Sequence, residues 1–299
     1  MTIQSASLTE ILISGESALG TASGNVATLR VTSESLVPAI STIASDEIDS
    51  TRNVSDLNKV SSMAEGEVEF EFKDDHPTDV ILQSLFGATQ GNVAVGLVDN
   101  ADTFNGTTQS SFTIEKKTSD GASTNLFQKF GGMVPSTLEL TAESGSFVTG
   151  TVGFMGSTVN AMTTSASLTA TDDATETTPY TTVDSDTTVL FDASADSVTY
   201  ADYGALPGSA KVTAFSLTVY ATDPTFYNNY INTTKFGLLM QVGSSASNYR
   251  FYLPEVVITS TQVLAGGNDE DVLMEIEFQA VKATVGSDVF TCKLVKNES

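Results

Sequence analysis

Glu65-Gly66-Glu67-Val68-Glu69-Phe70-Glu71-Phe72-Lys73 alternates without a break, with Val68, Phe70 and Phe72 on one side and Glu67, Glu69 and Glu71 on the other. Apolar residues at a spacing of two mark a strand with one face buried and the other in water. Three carboxylates in a row resemble a cation site, but even spacing along a solvated strand face accounts for them without one. Asp75-His76-Pro77 stops the strand. Thr78 is placed to cap a short helix, Asp79 to Phe86, which Gly87 ends.

Outward from that stretch, strands are expected at Ser111 to Lys116, Leu126 to Phe130, Ser136 to Thr141 and Phe147 to Phe154. Gly91, Gly106, Gly121 and Gly145 fall in the connections, where turns need them. Hydrophobic residues make up 40% of the chain and charged ones only 17%, with Thr and Ser filling much of the rest. Branched side chains suit a pleated surface, so the fold class is mainly β, of sandwich or barrel type.

Thr163-Thr164-Ser165-Ala166-Ser167 and Asp172-Asp173-Ala174-Thr175-Glu176-Thr177-Thr178 are small, polar and poorly patterned. Residues 158–186 therefore read as a Thr/Asp-rich linker or surface insertion between a first domain, 1–157, and a second, 187–299. Beyond it the plan returns. Val212 to Tyr220 reads as a strand with Phe215, Leu217 and Val219 on one face, running into Asp223-Pro224-Thr225 and a short helix, Phe226 to Ile231. Pro224 lies 147 residues after Pro77; Tyr249 to Leu253 answers Ser111 to Ile114, and Val272 to Phe278 answers Val148 to Phe154 at an offset of 124. Two tandem β domains, each with one short helix, are the expectation.

Ser33 to Ser62 has no strong strand pattern and reads as an extended loop. Ile40, Ile43, Ile48, Val54, Leu57 and Val60 stand singly among polar residues. Such a segment is too polar for a core. It is either an arm that orders on a neighbouring molecule or a mobile surface loop.

Thirteen Lys and Arg face thirty-seven Asp and Glu, a formal net charge of −24. Phosphate neutralisation needs clustered cations, so DNA binding is excluded and repulsion is the expected sign. The acidity fits a wall that repels nucleic acid, and equally a protein of salty water. Cys292 and His76 each occur once. One cysteine makes no disulfide, and the pair lies far apart in sequence, against a His-dependent nucleophilic mechanism. His76 belongs to the turn that opens a helix, and Cys292 alternates with polar residues like a small buried hydrophobe. No catalytic, cofactor-binding or metal-binding residue stands out; a carboxylate-only glycosidase is the enzymatic reading that survives. No apolar run approaches the ~20 residues of a membrane span, and Met1 to Ser5 shows no secretory signal.

Leu29-Arg30-Val31-Thr32-Ser33-Glu34-Ser35-Leu36, then Ser45-Asp46-Glu47-Ile48-Asp49-Ser50-Thr51-Arg52, the Gly66 strand and Ser110-Ser111-Phe112-Thr113-Ile114-Glu115-Lys116 follow one another in an order that resembles the major tail tube proteins of long-tailed bacteriophages. Phe130-Gly131-Gly132-Met133-Val134 and Leu253-Pro254-Glu255-Val256 are similar to further landmarks of that family. The resemblance spans nearly the whole chain; the Thr/Asp-rich insertion departs from it. It implies a non-enzymatic virion protein without cofactor, polymerised head-to-tail as stacked rings into the channel for genome ejection. With two tube domains per chain, homotrimeric pseudo-hexameric rings are preferred over homohexamers. Implied partners are the tape measure protein, tail terminator and distal tail proteins. Genomic DNA would pass through the lumen without specific binding, no membrane is involved, and synthesis and assembly take place in the host bacterial cytoplasm. A β-rich virion decoration, receptor-binding or adhesin protein is the alternative.

Overall fold

A computed structural model describes residues 4–45, 56–87, 102–103, 110–122, 124–143, 145–171, 178–182, 188–192, 215–221, 224–244, 247–265, 272–285 and 288–298. They form two compact units. The first holds the described residues up to Leu85 and from Ser110 to Thr182; the second holds those from Thr188 on, together with Phe86, Gly87 and Asp102–Thr103.

The first unit contains β1 (Ser5–Ala18), β2 (Thr21–Leu29), β3 (Ser33–Glu34), β4 (Val37–Ala44), β5 (Leu57–Glu71) and α1 (His76–Leu85). After β6 (Asp102–Thr103), which belongs to the second unit, it continues with β7 (Phe112–Ser119), β8 (Asn125–Thr141), β9 (Thr149–Gly156) and β10 (Thr158–Val159). Its sheet runs β2-β1-β7-β8-β9-β5-β3, with β4 on β5 and β10 on β8, every pair antiparallel. The strand read first behaves as its alternation requires: Val68, Phe70 and Phe72 are buried while Glu67 is exposed. Full burial of each such side chain is worth about 1.5–3 kcal/mol.

The helix begins at His76, earlier than the sequence pattern implies, because Asp75 and not Thr78 caps it. The Asp75 carboxylate accepts the Thr78 N–H at 2.8 Å, and Asp79 N donates to the Asp75 carbonyl at 3.1 Å. Lys73 Nζ lies 3.4 Å from the same carboxylate. Val80, Ile81 and Leu82 are buried as α1 packs on β8 and β2.

The described parts of 158–186 are held on this unit. Glu115, itself buried, accepts the backbone N–H of Ser167 at 2.9 Å and of Leu168 at 3.1 Å, and the Ser167 hydroxyl as well. Leu168 packs with Leu12 and Val26, and Tyr180 N donates to the Phe72 carbonyl at 2.9 Å. Much of Ser33 to Ser62 is likewise not a loop but a β-hairpin, β4 running antiparallel to β5 from Val37–Glu65 out to Ala44–Leu57. Ile48 and Val54 lie outside the described residues. Gly66 sets the hairpin's base: its φ is +147°, and a Cβ there would sit 2.5 Å from the Ser35 carbonyl oxygen.

The second unit contains β11 (Thr188–Asp192), β12 (Phe215–Tyr220), α2 (Thr225–Asn232), β13 (Phe236–Gly243), β14 (Ser247–Ala265), β15 (Val272–Val281), β16 (Ala283–Val285), β17 (Asp288–Phe290) and β18 (Lys293–Glu298). Its main sheet runs β11-β13-β14-β15-β12, with β18 between β14 and β6. Phe236 and Phe278 meet edge to face at 6.0 Å in its core. Cys292 is fully buried, and that burial pushes its thiol pKa up to about 12.

The path β1-β7-β8-β9-β5 of the first sheet has the connectivity of β11-β13-β14-β15-β12 in the second, and a helix follows both β5 and β12. The registers agree to the residue. Phe112 faces Met133 and Ile114 faces Phe130 across a bulge; Phe236 faces Val256 and Leu238 faces Leu253 across its counterpart. Pro135 faces Phe154 and Thr137 faces Gly153 across a second bulge; Ile258 faces Phe278 and Ser260 faces Glu277 across its counterpart. Bulges re-aim strands and are retained as built features, so two in matching places are a strong signature. The Val148 to Phe154 pairing with Val272 to Phe278 holds at its offset of 124. Tyr249 to Leu253 does not answer Ser111 to Ile114, however: it lies on β14, which corresponds to β8, and β13 corresponds to β7.

Candidate assembly surfaces

Three surfaces carry the chemistry relevant to function. The first is the water-facing side of β5, β9 and β8. Across these strands the register lines up Glu71–Thr149–Thr141, Glu69–Thr151–Glu139 and Glu67–Gly153–Thr137. Glu67, Glu139, Thr137 and Thr141 are exposed. No lysine or arginine occupies any of these nine positions. Gly153 keeps the face low, since a Cβ there would run into the Thr137 hydroxyl. At the matching positions of the second unit, Glu277 lies between Ser216 and Ser260, and Glu275 between Thr218 and Gln262. Neighbouring carboxylates on β5 are two residues apart, about 7 Å along the strand. Among the described residues no group of three or more His, Cys, Asp or Glu is placed to hold a metal ion.

The second surface is the β4–β5 hairpin. Alternation puts Val37, Ala39 and Ile43 on one face with Met63 from β5, and Ile40 and Ala44 on the other with Leu57. Val60 sits at a bulge in β5. These large side chains are roughly half exposed, from Met63 at 46% to Leu57 at 62%, so both faces of the hairpin are wet. Along Val37–Ala44 and Leu57–Met63 the sole charge is that of Lys59.

The third is α2. None of its residues is buried, and Tyr227, Tyr230 and Ile231 form an exposed stripe at helical spacing. The helix Thr225–Asn232 carries no charge at all. It ends on Thr233 in the left-handed region, φ 52°, whose N–H reaches the Tyr230 carbonyl at 3.1 Å.

One polar cluster escaped the sequence reading. The Glu16 carboxylate on β1 accepts from Thr113 Oγ1 at 2.7 Å, Gly132 N at 2.8 Å, Ser111 Oγ at 2.6 Å and Gly20 N at 2.9 Å. Burial alone would raise its pKa; the bonds from Gly132, Ser111, Thr113 and Gly20 outweigh that and hold it below the ordinary value. This knot ties the β1–β2 turn to the start of β7 and the bulge of β8. An isolated Glu near a strand end gives no sequence signal for it.

The family model for phage tail tube protein matches residues 6–280. No curated protein matches the chain. Among solved structures, the cap that terminates the tube of the anti-feeding prophage is 14% identical, covering 55% of this chain and 93% of its own, with a TM-score of 0.33. The sheath/tube terminator of the extracellular contractile injection system PVC, in its extended state, is 17% identical over 51% of this chain and 92% of its own, with a TM-score of 0.29.

Proposed function

Because the chain belongs to the phage tail tube protein family, whose members are structural and not enzymes, we propose that it polymerises as stacked rings into the tail tube, the channel through which the genome leaves. The observation that carries this reading is the β4–β5 hairpin. Six large apolar side chains, half exposed and spread over both faces, cannot all be covered by the subunit that bears them. A neighbour on each side covers them, and a head-to-tail contact of this kind propagates into a filament.

Each chain supplies two tube domains, so three chains complete a pseudo-hexameric ring. The matched strand order and the two matched bulges support this count over six chains per ring. The face of β5, β9 and β8, with its counterpart on β12, β15 and β14, lines the lumen. Acidic and without lysine or arginine at the aligned positions, it repels phosphate within a screening length of ~8 Å and offers DNA nothing to bind. The tape measure protein, tail terminator and distal tail proteins are the partners, and the protein is made and assembled in the host cytoplasm before it becomes part of the virion tail. The exposed tyrosines of α2 favour the rival reading, a decoration or receptor-binding protein. Negative-stain microscopy of the purified chain separates the two: tubes or stacked rings support the proposal, and a persistent monomer at high concentration refutes it.

A further inference from the structure

A chain with a net charge of −24 repels its own copies, so self-association is easiest where charge is sparse. Among the described residues, several exposed large apolar groups elsewhere stand beside acids: Met155 pairs with Glu65, Phe147 shares a groove with Glu69, Glu71 and Glu143, and Val272 begins the strand that carries Glu275. Two places differ. Between the Val37–Glu65 pair at its base and Asp56 at its outer end, the β4–β5 hairpin carries one lysine and no acid, and α2 carries no charge.

Resting on the tube reading, we infer that the β4–β5 hairpin of one copy docks on the Tyr227–Tyr230–Ile231 stripe of α2 in the next copy along the tube. The two surfaces are chemically complementary: aliphatic strand faces against amphipathic tyrosines, which bury well while keeping their hydroxyls hydrated. They are different surfaces of one chain, as a propagating contact requires. Each occurs once among the described residues. Helix α1 cannot serve as a second dock, because Val80, Ile81 and Leu82 are already buried against its own unit. Between Ser14 and Gly66 lie 51 residues, and between the matching positions Asp192 and Phe215 only 22. The described residues of each chain thus offer one arm and one dock, so that every arm finds a partner.

Disulfide trapping on the full chain tests this, since the native Cys292 is buried with its thiol held protonated and leaves introduced cysteines to react alone. Chains bearing Ile40→Cys, Ile43→Cys or Val60→Cys are mixed with chains bearing Tyr227→Cys or Ile231→Cys, assembled and oxidised. A cross-linked dimer in mixed assemblies, absent from each single variant, is the expected result. Tubes that assemble from these mixtures without a mixed dimer in any pairing overturn the inference. A Tyr230→Ser/Ile231→Ser chain, altered only at exposed positions, is expected to keep its melting temperature and its rings but to lose stacking; normal-length tubes from it overturn the inference while leaving the tube reading intact. Wild-type chains that give neither rings nor tubes refute that reading itself, and the docking with it.

Discussion

Helices α1 and α2 follow corresponding strands and similar Pro turns, yet one is sunk into its unit and the other has no buried residue. The contrast has a physical cause in the surroundings. Helix α1 packs on β8 and also on β2, whereas α2 packs on β14, the counterpart of β8. The second unit has 29 fewer residues in the stretch where the first builds β2, β3, β4 and the outer part of β5. Among the described residues, the first unit thus carries the β4–β5 hairpin and a buried helix, and the second a helix with no buried residue.

The largest effect that tests the contrast comes from truncating each helix's isoleucine. Ile81→Ala in α1, at a site 1% exposed, is expected to cost about 2–5 kcal/mol. Ile231→Ala in α2, at a site 60% exposed, should change the stability of the unassembled subunit by no more than about 0.5 kcal/mol. Denaturant unfolding of both variants measures the difference; equal losses would break the comparison.

A smaller effect concerns the knot that the first unit has at its bulge. The position matching Gly132 is Glu255, which pairs with Lys235 instead. The folded Glu16 carboxyl holds its proton less tightly than the unfolded one, whose reference value is 4.5. Its contribution is therefore present above that pH and lost as pH falls through the lower folded value. Glu16→Gln turns an accepting oxygen into an amide nitrogen, so donors of the knot lose their partner. It is expected to destabilise by on the order of 1–2 kcal/mol at pH 7 and to flatten the acid side of the stability profile. An unchanged profile between pH 5 and 3 would remove the knot from the account.

The smallest effects are at the helix ends and have opposite signs. Asp75→Ala removes the cap of α1 and costs about 1 kcal/mol. Thr233→Gly relieves a branched residue in the left-handed region at the end of α2 and stabilises by up to about 1 kcal/mol. Calorimetric melting of the two variants reads both signs.

What the sequence revealed follows from where one face is buried and the other is not. The strand ending at Phe72 and the match of Phe154 to Phe278 are both legible as period-two alternation, and the missing His and Cys chemistry as composition. The hairpin looks like a loop in the sequence because both its faces are wet, so Ile40, Ile43 and Leu57 leave no alternation to detect. Tyr249 to Leu253 and Ser111 to Ile114 share only a local apolar pattern, while the equivalence of β13 to β7 and β14 to β8 shows in paired bulges, which no single strand displays. Residues 160–171 look like a linker because Leu168 is the single apolar side chain they bury; the rest of their anchorage is polar, the Ser167 and Leu168 N–H groups held by Glu115 and the hydrogen bonds that tie Thr163 to Phe127 and Thr171 to Val26. Phe226, Tyr227, Tyr230 and Ile231 read like any amphipathic helix. Whether the neighbour that covers such a stripe belongs to the same molecule is not encoded in the stripe.

Cryo-electron microscopy of assembled tubes tests the central claim most directly, because one map gives the number of chains per ring and the residues facing the axis. Three chains per ring, with Glu67, Glu69, Glu139, Glu275 and Glu277 around the lumen, is the predicted result. Six chains per ring, two units that do not superimpose, or a lumen dominated by lysine and arginine would contradict it.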